Sequence, residues 1–94
     1  MEIAKSTIVR SDAGRDKGKL FYVLETQGEY LLLADGKSRK VESPKRKKRR
    51  HVQFVAEGDG RLSNKIKSEE TITNSELRRT LAAYREEVHP DQEG

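Results

Sequence analysis

The sequence predicts a mainly β protein, a small antiparallel barrel followed by a C-terminal helix. Short runs of β-branched, aromatic and aliphatic residues recur through the first 56 residues, and glycine-containing turns separate them. The last third instead carries a helix-start signal and apolar residues at helical spacing. Five short strands joined by tight turns are typical of a small closed or half-open antiparallel barrel.

The strands are predicted from local patterns. Residues 20–24 form an apolar, aromatic run that indicates a strand buried on both faces. A hairpin loop is expected at 25–29, and Asp35-Gly36 predicts a tight turn into a fourth strand that Ser43-Pro44 ends. The five predicted strands span residues 7–10, 20–24, 30–34, 37–42 and 51–55.

The composition changes at residues 57–60, which predicts a boundary. We expect a barrel over 1–56 that includes a basic arm at 43–51. A linker over 57–71, with a helical turn at Leu62 and Ile66, would follow. The C-terminal helix is predicted over 72–89 and a tail over 90–94.

The helix start is marked by Thr73 and Glu76, which have the spacing of a capping box. Ile72 is placed to close over this cap against Leu77 as a hydrophobic staple. His89-Pro90 is expected to end the helix. One helical face, predicted to pack on the barrel or to bind a partner helix, holds Leu77, Leu81, Tyr84 and Val88.

Positive charge is concentrated in one segment. Residues 37–51 hold nine Lys or Arg against one acid, a formal charge of +8, whereas the whole chain carries +4. Six consecutive cations, Lys45-Arg46-Lys47-Lys48-Arg49-Arg50, form the centre of this segment. Such a segment suits a polyanion, most commonly nucleic acid. The alternatives are a solvated charge run without a partner and a nuclear localisation signal.

Length and composition limit the remaining classes. Ninety-four residues allow one small domain, and with 32% hydrophobic and 38% charged residues we expect a compact apolar part and a polar remainder. The chain has no cysteine, which excludes disulfides and thiolate metal sites. No signal-peptide pattern is present at the N-terminus, and the longest apolar runs have five residues. We therefore expect a soluble, cytoplasmic protein without a membrane partner.

Catalytic patterns are weak. His51 and His89 lack a partner at metal-ligand spacing, and the adjacent pairs Glu69-Glu70 and Glu86-Glu87 would point in different directions on a helix. The segment 14–20 fails as a phosphate loop, because three residues separate its glycines and leucine follows Lys19. We expect no enzyme, catalytic residue, metal, cofactor or small-molecule substrate.

A family resemblance rests on three parts of the chain. Residues 8–9, the loop Gly14-Arg15-Asp16-Lys17-Gly18 and the run 20–24 resemble the KOW motif, in which two strands and a glycine-containing loop form one corner of an SH3-like barrel. The loop is similar to that of the fourteen-e family of large-subunit ribosomal proteins. Residues 34–37, 39–41, 44–48 and 73–78 resemble short KOW-domain RNA-binding proteins of Gram-positive bacteria. The resemblance implies a five-stranded SH3-like barrel of KOW type, with ribosomal or other structured RNA as its ligand.

The predicted RNA-contacting residues are all cationic. Arg15 and Lys17 would reach phosphates from the loop tip, with Asp16 orienting Arg15 or capping the turn. Gly14 and Gly18 would supply backbone geometry. The basic arm is expected to be an exposed loop, disordered when free and ordered on RNA. The full set is Arg15, Lys17, Lys19, Lys37, Arg39, Lys40, Lys45, Arg46, Lys47, Lys48, Arg49 and Arg50.

Aromatic residues offer a second kind of contact. Most of Phe21, Tyr22, Tyr30 and Phe54 are expected to be core residues. The alternative is that either Phe21 or Tyr22 is exposed, because neighbours on a strand point to opposite faces. Tyr22 or Tyr30 could then stack on a base.

The predicted function is non-catalytic RNA binding by a monomer, on ribosomal RNA or the ribosome. One alternative is an SH3-like protein-interaction module of the transcription or translation machinery, although such a module has no need of six consecutive cations. A duplex-DNA binder is the other, and a preference for A-form nucleic acid would separate the two ligands.

Overall fold

The computed structural model of the chain describes residues 2–58 and 60–87. These residues form one five-stranded antiparallel sheet with the strand order β4-β3-β2-β1-β5, and two helices. The strands are β1 Thr7–Ser11, β2 Leu20–Gln27, β3 Tyr30–Ala34, β4 Lys45–Lys48 and β5 Val52–Glu57. The helices are α1 Gly60–Lys67 and α2 Asn74–Glu87, and short 3₁₀ turns span Gly14–Asp16 and Arg49–His51. The predicted five-stranded antiparallel sheet and C-terminal helix are thereby confirmed.

The β2–β3 hairpin is tighter than predicted. Strand β2 continues to Gln27, which pairs with Tyr30, so that only Gly28 and Glu29 form the loop. Gly28 has a φ of +64°, the left-handed conformation that two-residue hairpin loops require. The loop predicted over 25–29 was therefore too long.

The predicted fourth strand is wrong. Residues 37–42 form bends and turns, and β4 consists of the basic residues 45–48 that follow Pro44. The Asp35 carboxylate accepts hydrogen bonds from the backbone N–H groups of Lys37 (2.9 Å) and Arg39 (2.8 Å) and from the Ser38 hydroxyl (3.0 Å). Because the backbone N–H groups of Lys37 and Arg39 are bonded within this turn, they are not available to pair with β3. The strand that pairs with β3 therefore begins only after Pro44.

The sheet is curled. A flat five-stranded sheet separates its edge strands by roughly 19 Å, four spacings of about 4.8 Å. Here only residues 49–51 connect the edge strands β4 and β5, and the four steps from Lys48 to Val52 span at most about 14 Å. The edge strands must therefore approach each other at this end.

Both faces of the sheet are covered. Phe21 and Tyr22 have 0% exposure and lie in different core clusters, which confirms the predicted burial of this strand on both faces. The alternative that one of the two is exposed was wrong. Curling lets one face of the sheet pack on itself, and the helices cover the other. The first cluster contains Val9, Phe21, Val23, Leu31, Leu33 and Val52. The second contains Ile8, Leu20, Tyr22 and Ala34 with Leu62, Ile66, Leu77 and Leu81.

Both helices pack on the second cluster. Leu62 and Ile66 belong to α1, a helix of eight residues where a single turn was expected. Leu77 and Leu81 of α2 are fully buried, and Tyr84 packs beside them. The other predicted features of this region, Val88, His89-Pro90 and the tail, lie outside the described residues.

The capping box at the start of α2 is confirmed. Thr73 Oγ1 accepts the Glu76 N–H (3.1 Å), and Glu76 Oε1 accepts the Thr73 N–H (2.9 Å). The Lys65 ammonium donates to the Glu76 carboxylate at 2.8 Å. The hydrogen bonds that the Glu76 carboxylate accepts from Lys65, the larger cause, and from the Thr73 N–H hold its pKa below its usual value. Ile72 packs against the cluster that contains Leu77, as the staple requires.

Thr73→Ala is expected to lower the free energy of unfolding by about 1 kcal/mol, because one N–H of the first helical turn loses its acceptor. Chemical denaturation would measure the change. Thr73→Ser retains a hydroxyl at the same place and should cost less than Thr73→Ala. Equal losses for the two variants would contradict the capping role.

Candidate nucleic-acid interface

The basic run is an ordered edge strand. Residues 45–48 pair with β3 in the register Leu33↔Lys45 to Tyr30↔Lys48, and Arg49–His51 follow as a 3₁₀ turn. The expectation of a disordered loop was therefore wrong. Backbone pairing beside the buried Leu31 and Leu33 fixes this segment, and lysine on an edge strand deters further strand pairing.

Arg46 and Lys48 lie over the ring of Tyr30. The guanidinium carbon of Arg46 is 3.7 Å from the ring centroid, and Lys48 Nζ is 5.9 Å from it. The Tyr30 ring is half-buried and stacks with a cation, so a base could stack on Arg46 more readily than on this ring face. Tyr22 is fully buried and therefore cannot stack on a base.

Lys47 and Arg49 hold the strand in place. Lys47 Nζ donates to the carbonyl of Ala13 (2.9 Å). Arg49 donates through Nε to the carbonyl of Gly28 (2.8 Å) and through Nη1 to that of Ile3 (2.9 Å). The bonds to Ala13 and Ile3 tie β4 and the turn after it to the chain on either side of β1, although β2 and β3 lie between β4 and β1 in the sheet. Lys47 and Arg49 therefore stabilise the position of the strand in addition to carrying positive charge.

The other four cations of the run are available to a ligand. Arg46 and Arg50 are exposed, and Lys45 and Lys48 are half-buried. Within residues 2–58 and 60–87, none of the four forms an ion pair. Their charge is therefore not neutralised by the described part of the protein.

The glycine loop presents its cations to solvent. Arg15, Lys17 and Lys19 are exposed, and Gly14 and Gly18 have φ values of +77° and +88°. Asp16 is buried and does not orient Arg15 or cap the turn, contrary to expectation. Its carboxylate pairs instead with Arg39 (3.0 Å) and more distantly with Lys19 (3.9 Å).

The 35–40 turn divides its cations between two roles. Lys37 and Lys40 are exposed, whereas Arg39 is half-buried and donates to Asp16. Because that pair joins the turn to the glycine loop, Arg39 is a structural residue at this site. The prediction that Lys37, Arg39 and Lys40 lie on a strand was wrong.

The basic strand and the glycine loop are neighbours. A Cβ on Gly14 would lie 3.6 Å from Lys47 Nζ, and the Asp12 N–H donates to the carbonyl of His51 (2.8 Å). The exposed loop cations and the basic strand therefore belong to adjoining parts of the surface.

Two arginines of α2 complete the cationic surface and were missed from the sequence, where they were interpreted as ordinary helix surface. Arg78 and Arg85 line an open cleft of about 410 Å³. Their spacing of seven residues does place them on one side of a helix, but not beside a particular loop. The other residues lining the cleft are Lys19, Asp35, Lys37 and Ser38.

Comparisons with known proteins add no relative. No protein-family model matches the chain, and no curated protein matches it. The resemblance to KOW proteins therefore rests on the residues quoted above.

The described residues contain no group of three or more His, Cys, Asp or Glu side chains placed to hold a metal ion. None of their helices has the length and apolar character needed to cross a membrane.

Proposed function

We propose that the chain is a non-catalytic RNA-binding protein whose basic strand and glycine loop contact the phosphate backbone of structured RNA. The observation that carries this proposal is the ordered edge strand of consecutive cations beside the glycine loop. Three of its side chains, and Arg50 in the turn that follows, form no ion pair within the described residues. The family resemblance supports ribosomal RNA or the ribosome as the target. We propose that the protein binds it as a monomer in the cytoplasm.

The mechanism is phosphate neutralisation. Each Lys or Arg that meets a phosphate releases a condensed counterion, so log K should fall by roughly 0.7–0.9 per contact for each tenfold rise in salt. Contacts of this kind position a protein without reading sequence. We expect low base specificity and steep dependence on salt.

We further propose that the curled sheet is a barrel of the SH3-like, KOW type. Its support is the order β4-β3-β2-β1-β5 with a 3₁₀ turn between β4 and β5, together with the bonds from Lys47 and Arg49 to the flanks of β1. The KOW-like segment falls on β1, the glycine loop and β2, so that loop lies at a corner between two paired strands.

A competition experiment tests the choice of ligand. Labelled hairpin RNA bound to the protein would be displaced with unlabelled RNA or with duplex DNA of equal length, and fluorescence anisotropy would follow the displacement. RNA is expected to displace the probe at lower concentrations than DNA, because A-form helices and single-stranded loops present phosphates differently from B-DNA. Equal competition would indicate generic polyanion binding, and stronger competition by DNA would overturn the RNA assignment.

A further inference from the structure

We propose that the cleft between α2, the glycine loop and the 35–40 turn binds a phosphate of the same RNA. The interface would then extend from β4 across the glycine loop to the C-terminal helix. This inference rests on the proposed function and adds to it a site whose helical residues, Arg78 and Arg85, the sequence did not indicate.

The cleft is strongly cationic. Lys19, Lys37 and Arg78 are exposed at its walls, and Arg85 is half-buried. Asp35, the one acid among the described residues that line it, is 4% exposed, and three hydrogen bonds from its own turn occupy the carboxylate. From the described residues, an entering anion would therefore meet four positive charges and one carboxylate whose hydrogen-bonding capacity is already used.

The walls of the cleft are fixed to each other by direct contacts. Arg78 Nη1 donates to the carbonyl of Gly36 (2.7 Å), and Asn74 Oδ1 accepts the Val41 N–H (2.8 Å). The backbone of Gly36 lies so near Asn74 that a Cβ at residue 36 would collide with the Asn74 carbonyl oxygen. Because α2 is held on the turn in this way, the Arg78 side chain and the backbone that carries Arg85 are positioned before a ligand arrives, which reduces the ordering cost of binding.

The cleft adjoins the surface already described. The buried Asp16 joins the glycine loop to the turn through Arg39, and Lys19 links that loop to the cleft. On the other side of the loop, Lys47 bonds to Ala13. A phosphate chain leaving the basic strand could thus follow the exposed Arg15 and Lys17 to the cleft.

The size of the cleft suits part of a polymer. Its volume of about 410 Å³ lies near the lower end of the range for small-ligand sites, and it is open to solvent. The described residues of its lining offer charge and a hydroxyl but no aromatic ring for a base. These features favour a backbone phosphate over a mononucleotide recognised by its base.

The test variant is Lys37→Gln with Arg85→Gln. Neither side chain forms a hydrogen bond or ion pair with the described residues, so the fold should persist, and thermal unfolding would verify this. Lys67→Gln with Arg79→Gln is the matched control. Both residues are exposed and lie outside the cleft, and the two substitutions remove the same net charge as those in the cleft. Arg78 is left unchanged because it anchors α2.

We expect the cleft variant to bind hairpin RNA roughly 10-fold more weakly than the control at 0.1 M salt, with a log K–log salt slope smaller by roughly 0.7–0.9, as the loss of one phosphate contact requires. A mononucleotide added in excess should not displace the RNA. If the parent binds RNA and the cleft variant matches the control, the cleft is not part of the interface and the proposed function stands. If mononucleotide displaces the RNA, the backbone assignment is wrong. Failure of the parent itself to bind RNA would overturn the proposed function and this inference together.

Discussion

Replacing Arg46, Lys48 and Arg50 with glutamine is expected to weaken binding to structured RNA by roughly 100-fold or more at 0.1 M salt, while the protein stays folded. The slope of log K against log salt should decrease by roughly 2–3, as three phosphate contacts require. The three side chains form no ion pair with the described residues, and only the cation–π contacts at Tyr30 would be lost from the fold. Fluorescence anisotropy across a salt series would measure both quantities.

The matched control replaces Arg61, Lys67 and Arg79, three exposed cations on the helices, with glutamine. It removes the same net charge, so any difference between the variants reports position. RNA affinity that falls equally in both would mean that net charge alone drives binding. Lys47 and Arg49 are kept, because removing their bonds to Ala13, Gly28 and Ile3 would confuse lost stability with lost binding.

Gly36→Ala is expected to lower the free energy of unfolding by about 2–5 kcal/mol. Two costs add at this position. Its φ of +79° is unfavourable for an L-residue, and the new Cβ would collide with the Asn74 carbonyl oxygen and lie 3.1 Å from Leu77 Cβ. Since α2 contributes Leu77 and Leu81 to the core, pushing it away from the turn also loosens that core. Urea denaturation would measure the loss.

Gly28→Ala separates the two costs. Gly28 also has a positive φ, +64°, but a Cβ there would meet nothing within 4 Å. Only the conformational cost of about 1–2 kcal/mol should appear. If both variants lose the same stability, the close approach of α2 to the turn contributes nothing.

Features that depend on residues close together in the sequence could be predicted. The third strand has the predicted bounds, and the capping box at Thr73 and Glu76 forms the two predicted hydrogen bonds. Each depends on a few consecutive side chains. The fourth strand depends on partners far away in sequence, because Lys45–Lys48 has a low intrinsic preference for strands and is held by β3. At Asp35-Gly36 the sequence indicated a tight hairpin. In the structure the Asp35 carboxylate instead accepts the backbone N–H groups of a local turn.

The sequence allowed the cationic residues of the candidate site to be predicted. It did not show which of them are available to a ligand and which bond to other parts of the protein. Sequence alone indicated that cations 45–50 act together, but not that Lys47 and Arg49 bond to the carbonyls of other segments. The pairing of Arg39 with the buried Asp16 across 23 residues carries no local signal either. The cleft beside Arg78 exists only because α2 packs on the turn at Gly36, which is a tertiary contact.

The most direct test of the proposed interface is a titration of ¹⁵N-labelled protein with hairpin RNA, followed amide by amide by NMR. The proposed interface predicts the largest shift changes at residues 14–19 and 45–51, with smaller ones at residues 35–40 and along α2 near Arg78 and Arg85. These changes should fade as salt is raised. Shift changes centred on α1, or none at RNA concentrations that saturate other phosphate-binding proteins, would contradict the claim that the basic strand and glycine loop bind RNA.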